Sequence, residues 1–191
     1  MLLPSRVVGQ IGGALMLVAL STSCGEAQSN GTQAHTTDAL AVHGLKSCRE
    51  PPFAGLVGSM SDSTVSTTAA LIAGTNPAVF AGVWWDGAAT QYVFDTVDVV
   101  AATAILDVGL PPGTSYRVDA VPRSFTALRA LRDRAMALDL PGRFMSAAPR
   151  SWDGSVDISI QALDDAVLSV IAEEFSDERD AICVSVVGEV S

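Results

Sequence analysis

The spacing of hydrophobic and polar residues changes several times along the chain and predicts a succession of short strands and helices. Val79 to Asp86 and Gln91 to Thr96 are bulky, β-prone runs on either side of a Gly-Ala-Ala turn, which predicts a hairpin. Ser63 to Ala73 predicts a short helix, because a serine at its start is able to cap the first turn. Ser124 to Leu138 predicts a second helix, with an N-capping serine followed by apolar residues at helical spacing.

A repeated pattern organises the second half of the chain. Residues 92–121 can be laid over residues 158–187 at a constant offset of 66 without a gap, and Asp98 then matches Asp164 near the start of a helix, where a carboxylate is favoured. This pattern predicts two β-α-β pseudo-repeats, with residues 143–147 forming a further strand beside the second one. The expected fold is α/β of the α+β type, with a mixed, mainly antiparallel sheet and about three helices packed on one face.

The first residues have the pattern of an export signal. Arg6 is followed by an apolar run of about fourteen residues, Val7 to Leu20, and then by small residues up to Cys24. The run is short for a membrane span, which needs roughly 20 apolar residues. A buried N-terminal helix is the alternative, and the glycines and the polar stretch after Cys24 argue against it.

Two cleavage sites fit this signal. The small residues before Cys24 resemble the bacterial lipobox, in which that cysteine receives lipid and becomes the mature N-terminus, although Ser21 stands where leucine is usual. A cut after Ala27 also fits the rule of small residues around the site. We therefore expect a signal peptide at 1–23, a polar, flexible tether at 24–47 and a single domain at 48–191. The protein would then lie on the outer face of the cytoplasmic membrane or be secreted.

The cysteine count predicts one disulfide. The chain contains Cys24, Cys48 and Cys183, and either cleavage removes Cys24 from the set of free thiols. Outside the cytoplasm the remaining pair is expected to be oxidised, so we predict a bond between Cys48 and Cys183. Alternation along the last strand places Cys183 on the face opposite the helices, so the bond would hold the segment around Cys48 across that face or along its edge. Two unpaired buried thiols are the alternative.

Composition and motifs exclude several functions. The 191 residues carry 11 Lys plus Arg against 21 Asp plus Glu, a formal net charge of -10, which argues against nucleic acid as a partner. Both histidines, His35 and His43, fall in the predicted tether, so no base is expected near a serine or cysteine nucleophile, and their spacing to Cys48 fits no usual metal site. We expect no enzyme, cofactor or metal. Weak calcium binding by the acidic loop 177–180 is an alternative to a solvated loop.

A candidate binding face comprises two arginines and two tryptophans. Seven of the basic residues lie between positions 117 and 150, all of them arginines, and Arg129 and Arg132 fall outside the apolar stripe of their helix. They would dock an acidic partner or, alternatively, pair with the chain's own carboxylates. Trp84 and Trp85 are adjacent in a strand and therefore point to opposite faces. One is expected in the core, and the other is covered by the Cys48 segment or exposed as a binding platform.

One family resemblance follows from these runs. The sequence Phe80 to Asp86, followed by a turn and Tyr92 to Phe94, resembles the prosegments of secreted bacterial serine proteases of the alpha-lytic and streptogrisin type. The resemblance continues through Tyr116 to Val121 and Ser124 to Leu131 and covers roughly residues 65–187. Similar units also appear in exported proteins and lipoproteins of high-GC bacteria that carry no protease, and we expect no protease to follow the unit here. The resemblance implies a folding partner or inhibitor that lends its sheet edge, or its extended tail at 184–191, to a protease.

These observations give two expected functions. The first is a non-enzymatic binding or interaction protein outside the cytoplasm, held to the membrane through a lipid on Cys24 or secreted, with an exported protease or cell-surface component as protein partner. The second is a protease inhibitor or folding assistant that acts on a separate chain.

Overall fold

The computed structural model describes residues 38–52, 63–140 and 144–187. Cys24 and His35, the signal peptide and the tail at 188–191 lie outside the described residues. In chain order the helices and strands are α1 (residues 38–42), α2 (Ser63–Thr75), β1 (Phe80–Asp86), β2 (Gln91–Thr96), α3 (Val99–Gly109), β3 (Tyr116–Ala120), α4 (Phe125–Met136), β4 (Phe144–Arg150), β5 (Ser155–Ile160), α5 (Asp165–Glu174) and β6 (Ile182–Val186). Short 3-10 turns occupy Ser151–Asp153 and Arg179–Ala181.

The strands form two separate three-stranded sheets. Their orders are β1-β2-β3 and β4-β5-β6. In each sheet the first pair of strands is antiparallel and the second pair is parallel, with one helix crossing over between the parallel strands. The mixed α/β composition is therefore confirmed. The expectations of one mainly antiparallel sheet and of about three helices are wrong, because each crossover helix returns the chain parallel to its preceding strand and the described residues contain five α-helices.

The offset of 66 is not kept by the strand register. Tyr92 pairs with Tyr116, whereas Ile158, its counterpart at that offset, pairs with Val184 rather than Ile182. The reason is the length of the loop between strand and helix. Strand β5 ends four residues before Asp164, the N-cap of α5, whereas β2 ends two residues before Asp98, the N-cap of α3. The helices and final strands follow the offset, and the first strands are displaced by two residues.

Each sheet has its own hydrophobic core. On β1-β2-β3 the inward row includes Phe80 and Phe94, whose ring centroids lie 5.7 Å apart, and it is covered by α2 and α3. On β4-β5-β6 the row of Ile158, Ile160 and Ile182 packs against α4 and α5. Buried side chains form both cores, and this burial is the main stabilising contribution to the fold.

The predicted caps set where the helices begin. Asp98 accepts a hydrogen bond from the backbone N–H of Ala101 at 2.9 Å, and the Asp164 carboxylate accepts from that of Ala166 at 2.9 Å. The Ser124 hydroxyl accepts from the Ala127 N–H at 3.4 Å. Each cap satisfies a backbone donor that has no partner within its helix. The helix starts predicted at these residues are confirmed.

Residues 38–47 are part of the packed structure, which corrects the tether prediction for this stretch. Leu40 and Leu45 are 1% and 5% exposed and belong to the core of β4-β5-β6. The stretch shows no sustained period in the sequence, yet two well-spaced leucines suffice to anchor a short segment to a core. Ser47 then forms a parallel bridge with Val184 on the outer edge of β6.

The two sheets meet where the backbone of Gly82 lies against the side chain of Ser151. A Cβ atom added to Gly82 of β1 would lie 2.6 Å from the Cβ of Ser151, so any larger residue would force the 3-10 turn that follows β4 to shift. The backbone N–H of Thr126, at the start of α4, donates to the Pro77 carbonyl at 3.0 Å.

Within the described residues, no helix is sufficiently long and apolar to cross a membrane.

Candidate functional site

The two adjacent tryptophans lie on opposite faces of β1-β2-β3, as strand geometry requires. Trp85 packs on the helix-covered face, where its ring meets that of its cross-strand partner Tyr92 edge-on at 4.9 Å. Trp84 lies on the other face, with its indole N–H donating to Asp95 Oδ1 at 3.3 Å. Both are half-buried. Of the segment around Cys48, the described residues Ser47 and Cys48 lie along the edge of β6 in the other sheet.

An open groove of about 440 Å³ begins at Trp85. Its walls are Trp85, Tyr92, Val65 from α2 and Thr90 from the hairpin turn, and the loop 111–115 between α3 and β3 closes it. The Tyr92 hydroxyl and the Ser66 hydroxyl are 2.8 Å apart, which fixes the wall formed by α2. The size falls within the range of small-ligand sites.

Two backbone features shape this groove. Thr90 has a φ of 54°, the left-handed region that a β-branched residue rarely adopts, and it directs the chain from the turn into β2. Gly113 has a φ of 83° and turns the Pro111–Pro112 loop back towards β3. The Thr114 hydroxyl donates to the Pro111 carbonyl at 2.8 Å and holds this loop closed. The groove is thus built from constrained loops on a rigid hairpin.

The groove carries no formal charge. All the described residues that line it are apolar, aromatic or hydroxyl-bearing. Such a surface can contact a ligand through ring faces and hydroxyl hydrogen bonds, and it offers no acid, base or cation for proton transfer or for binding a charged group. The chemistry that it supports is recognition of an uncharged ligand.

The opposite face of the same sheet is highly polar. Arg117 on β3 lies between two carboxylates, with Nε 2.8 Å from Asp119 Oδ1 and a terminal nitrogen 3.5 Å from Asp86 Oδ2. Its guanidinium is 5.9 Å from the centre of the Trp84 ring. The carboxylate of Asp119 makes the largest contribution to raising the pKa of Arg117 above its ordinary value. These contacts keep the arginine charged and fixed over the sheet.

Asp95 is the unusual group of this face. Its side chain is 1% exposed, and Oδ2 makes no hydrogen bond with the described part of the chain. The pKa of Asp95 is raised to about 6, mainly by burial and to a smaller extent by the nearby Asp119, against the lowering effects of hydrogen bonding by Ser151 and Trp84 and of the charge of Arg117. A pKa near 6 suits a general acid, but the burial keeps this carboxyl away from any solute.

Sequence reasoning missed Asp95 as a special position. The available signal was a carboxylate directly after Tyr92, Val93 and Phe94, a run that puts large apolar side chains on both faces of the strand. Such a residue has little room for hydration on either side of the sheet. The partners Ser151 and Arg117 come from distant strands and turns, so they could not be identified from spacing.

The arginines of the candidate face are engaged within the chain. Arg129 lies 4.0 Å from Asp133, and Arg132 Nε donates to the same carboxylate at 2.9 Å. Both lie on α4, and the tryptophans lie on β1 of the other sheet. All six arginines between positions 117 and 150 whose side chains the structure describes form ion pairs, namely Arg117, Arg123, Arg129, Arg132, Arg134 and Arg150. This pairing favours the alternative in which the arginines neutralise the chain's own acid.

The predicted disulfide between Cys48 and Cys183 is confirmed, with a Cα–Cα distance of 4.8 Å. It runs along the edge of β6, where the Cys48 N–H donates to the Val184 carbonyl at 3.2 Å and the Val184 N–H donates to the Lys46 carbonyl at 2.9 Å. Asp157 lies close to both sulfur atoms. Because the sulfurs are bonded to each other, this trio supplies one carboxylate and no thiolate for a metal.

Around the bridge, buried polar groups are well satisfied. Arg150, 6% exposed, donates to Asp153 at 3.2 Å and to the Arg49 carbonyl, and its guanidinium lies 4.5 Å from the centre of the Trp152 ring. The Ser185 hydroxyl donates to Asp157 at 2.7 Å. This network joins the segment after Cys48 to β4 and β5, and its role is structural.

Comparison with known proteins adds no functional assignment. No protein-family model matches the chain, and no curated protein shows significant similarity to it. A function must therefore be argued from three features: the groove at Trp85, the polar face that contains Asp95 and Arg117, and the disulfide-linked edge of β6.

Proposed function

We propose that this chain is a non-enzymatic interaction protein that acts outside the cytoplasm, either tethered to the membrane by a lipid on Cys24 or secreted. The observation that carries the proposal is the bond between Cys48 and Cys183. Stable disulfides form in oxidising compartments and are rare in the reducing cytosol. The export pattern before Cys24 was inferred independently of this bond, and both point to the same compartment.

The bridge also suits a protein whose N-terminus is an anchor. It fixes the chain at Cys48, directly after the strand-like contact at Ser47 and the packed leucines Leu40 and Leu45. A pull on the N-terminal segment would therefore load a covalent link to β6 rather than the core alone. This arrangement supports a tethered domain that holds its shape while bound to a partner.

The groove at Trp85 is the favoured binding surface of this proposal. Its hydroxyl-bearing and aromatic lining fits an uncharged partner from the cell surface. The pairing of Arg129 and Arg132 with Asp133 makes that helix face a weaker candidate. His43, the histidine in the described residues, lies 3.4 Å from Asp165, an arrangement that supplies no nucleophile.

Two matched variants test export and distinguish the two cleavage sites. Cys24→Ser removes the lipid acceptor, and Ala27→Asp blocks the alternative cut. If the chain is lipid-anchored, the wild-type and Ala27→Asp proteins fractionate with the envelope and the Cys24→Ser protein does not. If the cut follows Ala27, only Ala27→Asp impairs processing and release. Recovery of the wild-type chain in the cytosol with Met1 attached would refute the proposal.

A protease inhibitor or folding assistant acting on a separate chain is the second candidate, and the free edge of β3 favours it. Sheet order places β3 at the end of β1-β2-β3, and no strand in the described residues pairs with its outer side. An exposed strand edge can add to a strand of another protein. By contrast, the outer edge of β6 is already occupied by residues 46–48.

An inhibition assay tests this second candidate. Secreted proteases of the chymotrypsin and subtilisin types are titrated with the purified chain and with a Val118→Pro variant, which removes a backbone donor within β3. Inhibition by the wild type that is lost in the variant supports the candidate, provided that circular dichroism shows the variant folded. Full protease activity at the highest concentration of the wild type excludes it for the proteases tested.

A further inference from the structure

The helical layer on β1-β2-β3 has an outward side made of aliphatic residues. Helix α3 buries Ala102 and Leu106 against the sheet. On its other side Val100 is 82% exposed and Val108 is 89% exposed, and the exposed Ala104 lies between them at four-residue spacing. The helix is therefore apolar on both sides, whereas a helix that covers a core normally turns polar residues to water.

The neighbouring helix α2 also exposes an aliphatic side chain. Leu71 of α2 is 63% exposed. The next residue, Ile72, touches α3 at its end, since a Cβ added to Gly109 would lie 2.9 Å from Ile72 Cδ1. Leu71 and Val108 each directly precede a residue of this contact between the two helices, Ile72 and Gly109 respectively. We define the α2–α3 face as Leu71, Val97, Val100, Ala104 and Val108.

The five side chains that define the α2–α3 face carry no charge. Helix α2 contains no charged residue, and α3 contains only Asp107, which accepts a hydrogen bond from the Tyr116 hydroxyl at 2.6 Å. Asp98, at the start of α3, is engaged as its N-cap. This neutrality is notable in a chain with a formal net charge of -10.

We propose that the α2–α3 face is a self-association interface that is covered by a second copy of this chain. Two molecules that are both strongly acidic repel each other, and a contact related by a twofold axis brings the same surface of each copy together. A neutral aliphatic face is complementary to itself, whereas an acidic face is not. Val100, Ala104 and Val108 form a continuous exposed row along α3, and exposed apolar surface of this kind marks an interaction site.

The composition of the two helices favours a protein over a membrane as the occupant. Helices that lie in a membrane interface carry Lys and Arg on their polar side and aromatic residues on the other. Neither α2 nor α3 contains a lysine, an arginine or an aromatic residue. Anchoring in one membrane would raise the local concentration of copies. That point alone rests on the proposed function, and the contact itself does not.

Sedimentation velocity over a concentration series tests the interface. All forms carry Cys24→Ser, which removes any lipid. Val100→Asp places a carboxylate in the first turn of α3, and Val108→Lys places a cation in its last turn, where the helix dipole tolerates each of them. Burying an unpaired charge should weaken self-association at least about tenfold in both variants. Circular dichroism is expected to stay unchanged because both positions are exposed.

Matched controls separate a local effect from a change in net charge. Met136→Asp and Met136→Lys alter a residue on α4 that is 53% exposed and lies outside the α2–α3 face. They should associate like the parent, apart from the general effect of one charge. Val108→Lys reduces the net negative charge, so a purely general electrostatic effect would strengthen self-association. The proposed interface predicts weaker self-association, because it buries the new lysine.

Three results would overturn the proposal. The first is a parent chain that stays monomeric at the highest concentration. The second is equal association of the Val108→Lys and Met136→Lys forms. The third is binding of the parent chain to neutral phosphatidylcholine vesicles that both α3 variants lose while their sedimentation is unchanged, which would assign the face to lipid. Each outcome is independent of where the chain is located in the cell, so it is distinguishable from failure of the proposed function.

Discussion

Replacing Asp95 with asparagine should remove a pH dependence of stability that the fold imposes on this carboxyl. Burial raises its pKa from 3.8 to about 6, so the folded state binds a proton more tightly than the unfolded chain does. The stabilising contribution of the protonated group is fully present below about pH 4 and is lost as the pH rises through about 6. The asparagine side chain of the Asp95→Asn protein is uncharged at every pH, so this variant lacks the loss.

The size of the effect follows from the pKa shift. A pKa difference of about two units between the folded and unfolded states corresponds to about 3 kcal/mol, at roughly 1.4 kcal/mol for each unit. The free energy of unfolding of the Asp95→Asn protein relative to that of the wild type should therefore increase by about 3 kcal/mol between about pH 3 and about pH 8. The side chain is 1% exposed, so solvent screening does not reduce this figure greatly.

Urea unfolding at a series of pH values, with the disulfide intact and tryptophan fluorescence as the signal, measures this difference. Asp177→Asn, which changes an exposed carboxylate after α5, is the matched control and should follow the wild-type profile. Other carboxylates titrate equally in all three proteins and cancel in the comparison. A difference between wild type and Asp95→Asn that stays constant across the pH series would refute the reasoning.

Three further changes have defined consequences. Replacing Cys48 and Cys183 together by serine opens a link between residues 135 apart in sequence and should lower the free energy of unfolding by roughly 4–5 kcal/mol in urea; an unchanged midpoint would contradict the loop-entropy argument. Gly82→Ala forces its new Cβ to within 2.6 Å of Ser151 and should cost about 1–3 kcal/mol of stability, most of which Ser151→Gly should restore in the double variant. Asp98→Ala removes the cap of α3 and should cost about 1 kcal/mol, measured by thermal unfolding; no loss would mean that the cap is replaced by water.

Local signals predicted much of the secondary structure. The run Gln91 to Thr96 is a strand with the predicted boundaries, and Ser124 caps the helix that follows it. These features depend on neighbouring residues, through β propensity, side-chain alternation and satisfaction of backbone donors. The pairing of Cys48 with Cys183 was also predictable, since it required a count of thiols rather than a fold.

The arrangement in two sheets was not predictable from the same patterns. Whether β3 and β4 belong to one sheet depends on contacts such as that between Gly82 and Ser151, which join residues far apart in sequence. The packing of residues 38–47 was missed because Leu40 and Leu45 belong to a stretch of small and polar residues that shows no sustained period. The burial of Asp95 depends on the same non-local contact.

The central claim is that this chain folds and acts in an oxidising compartment, and its most direct test is the intact mass of the protein recovered from its host. The protein is alkylated before and after reduction, and the added mass counts its free thiols. The account predicts a chain that lacks Met1 and takes up no label on Cys48 or Cys183 until it is reduced. A chain of full length with both thiols labelled at the outset would contradict it.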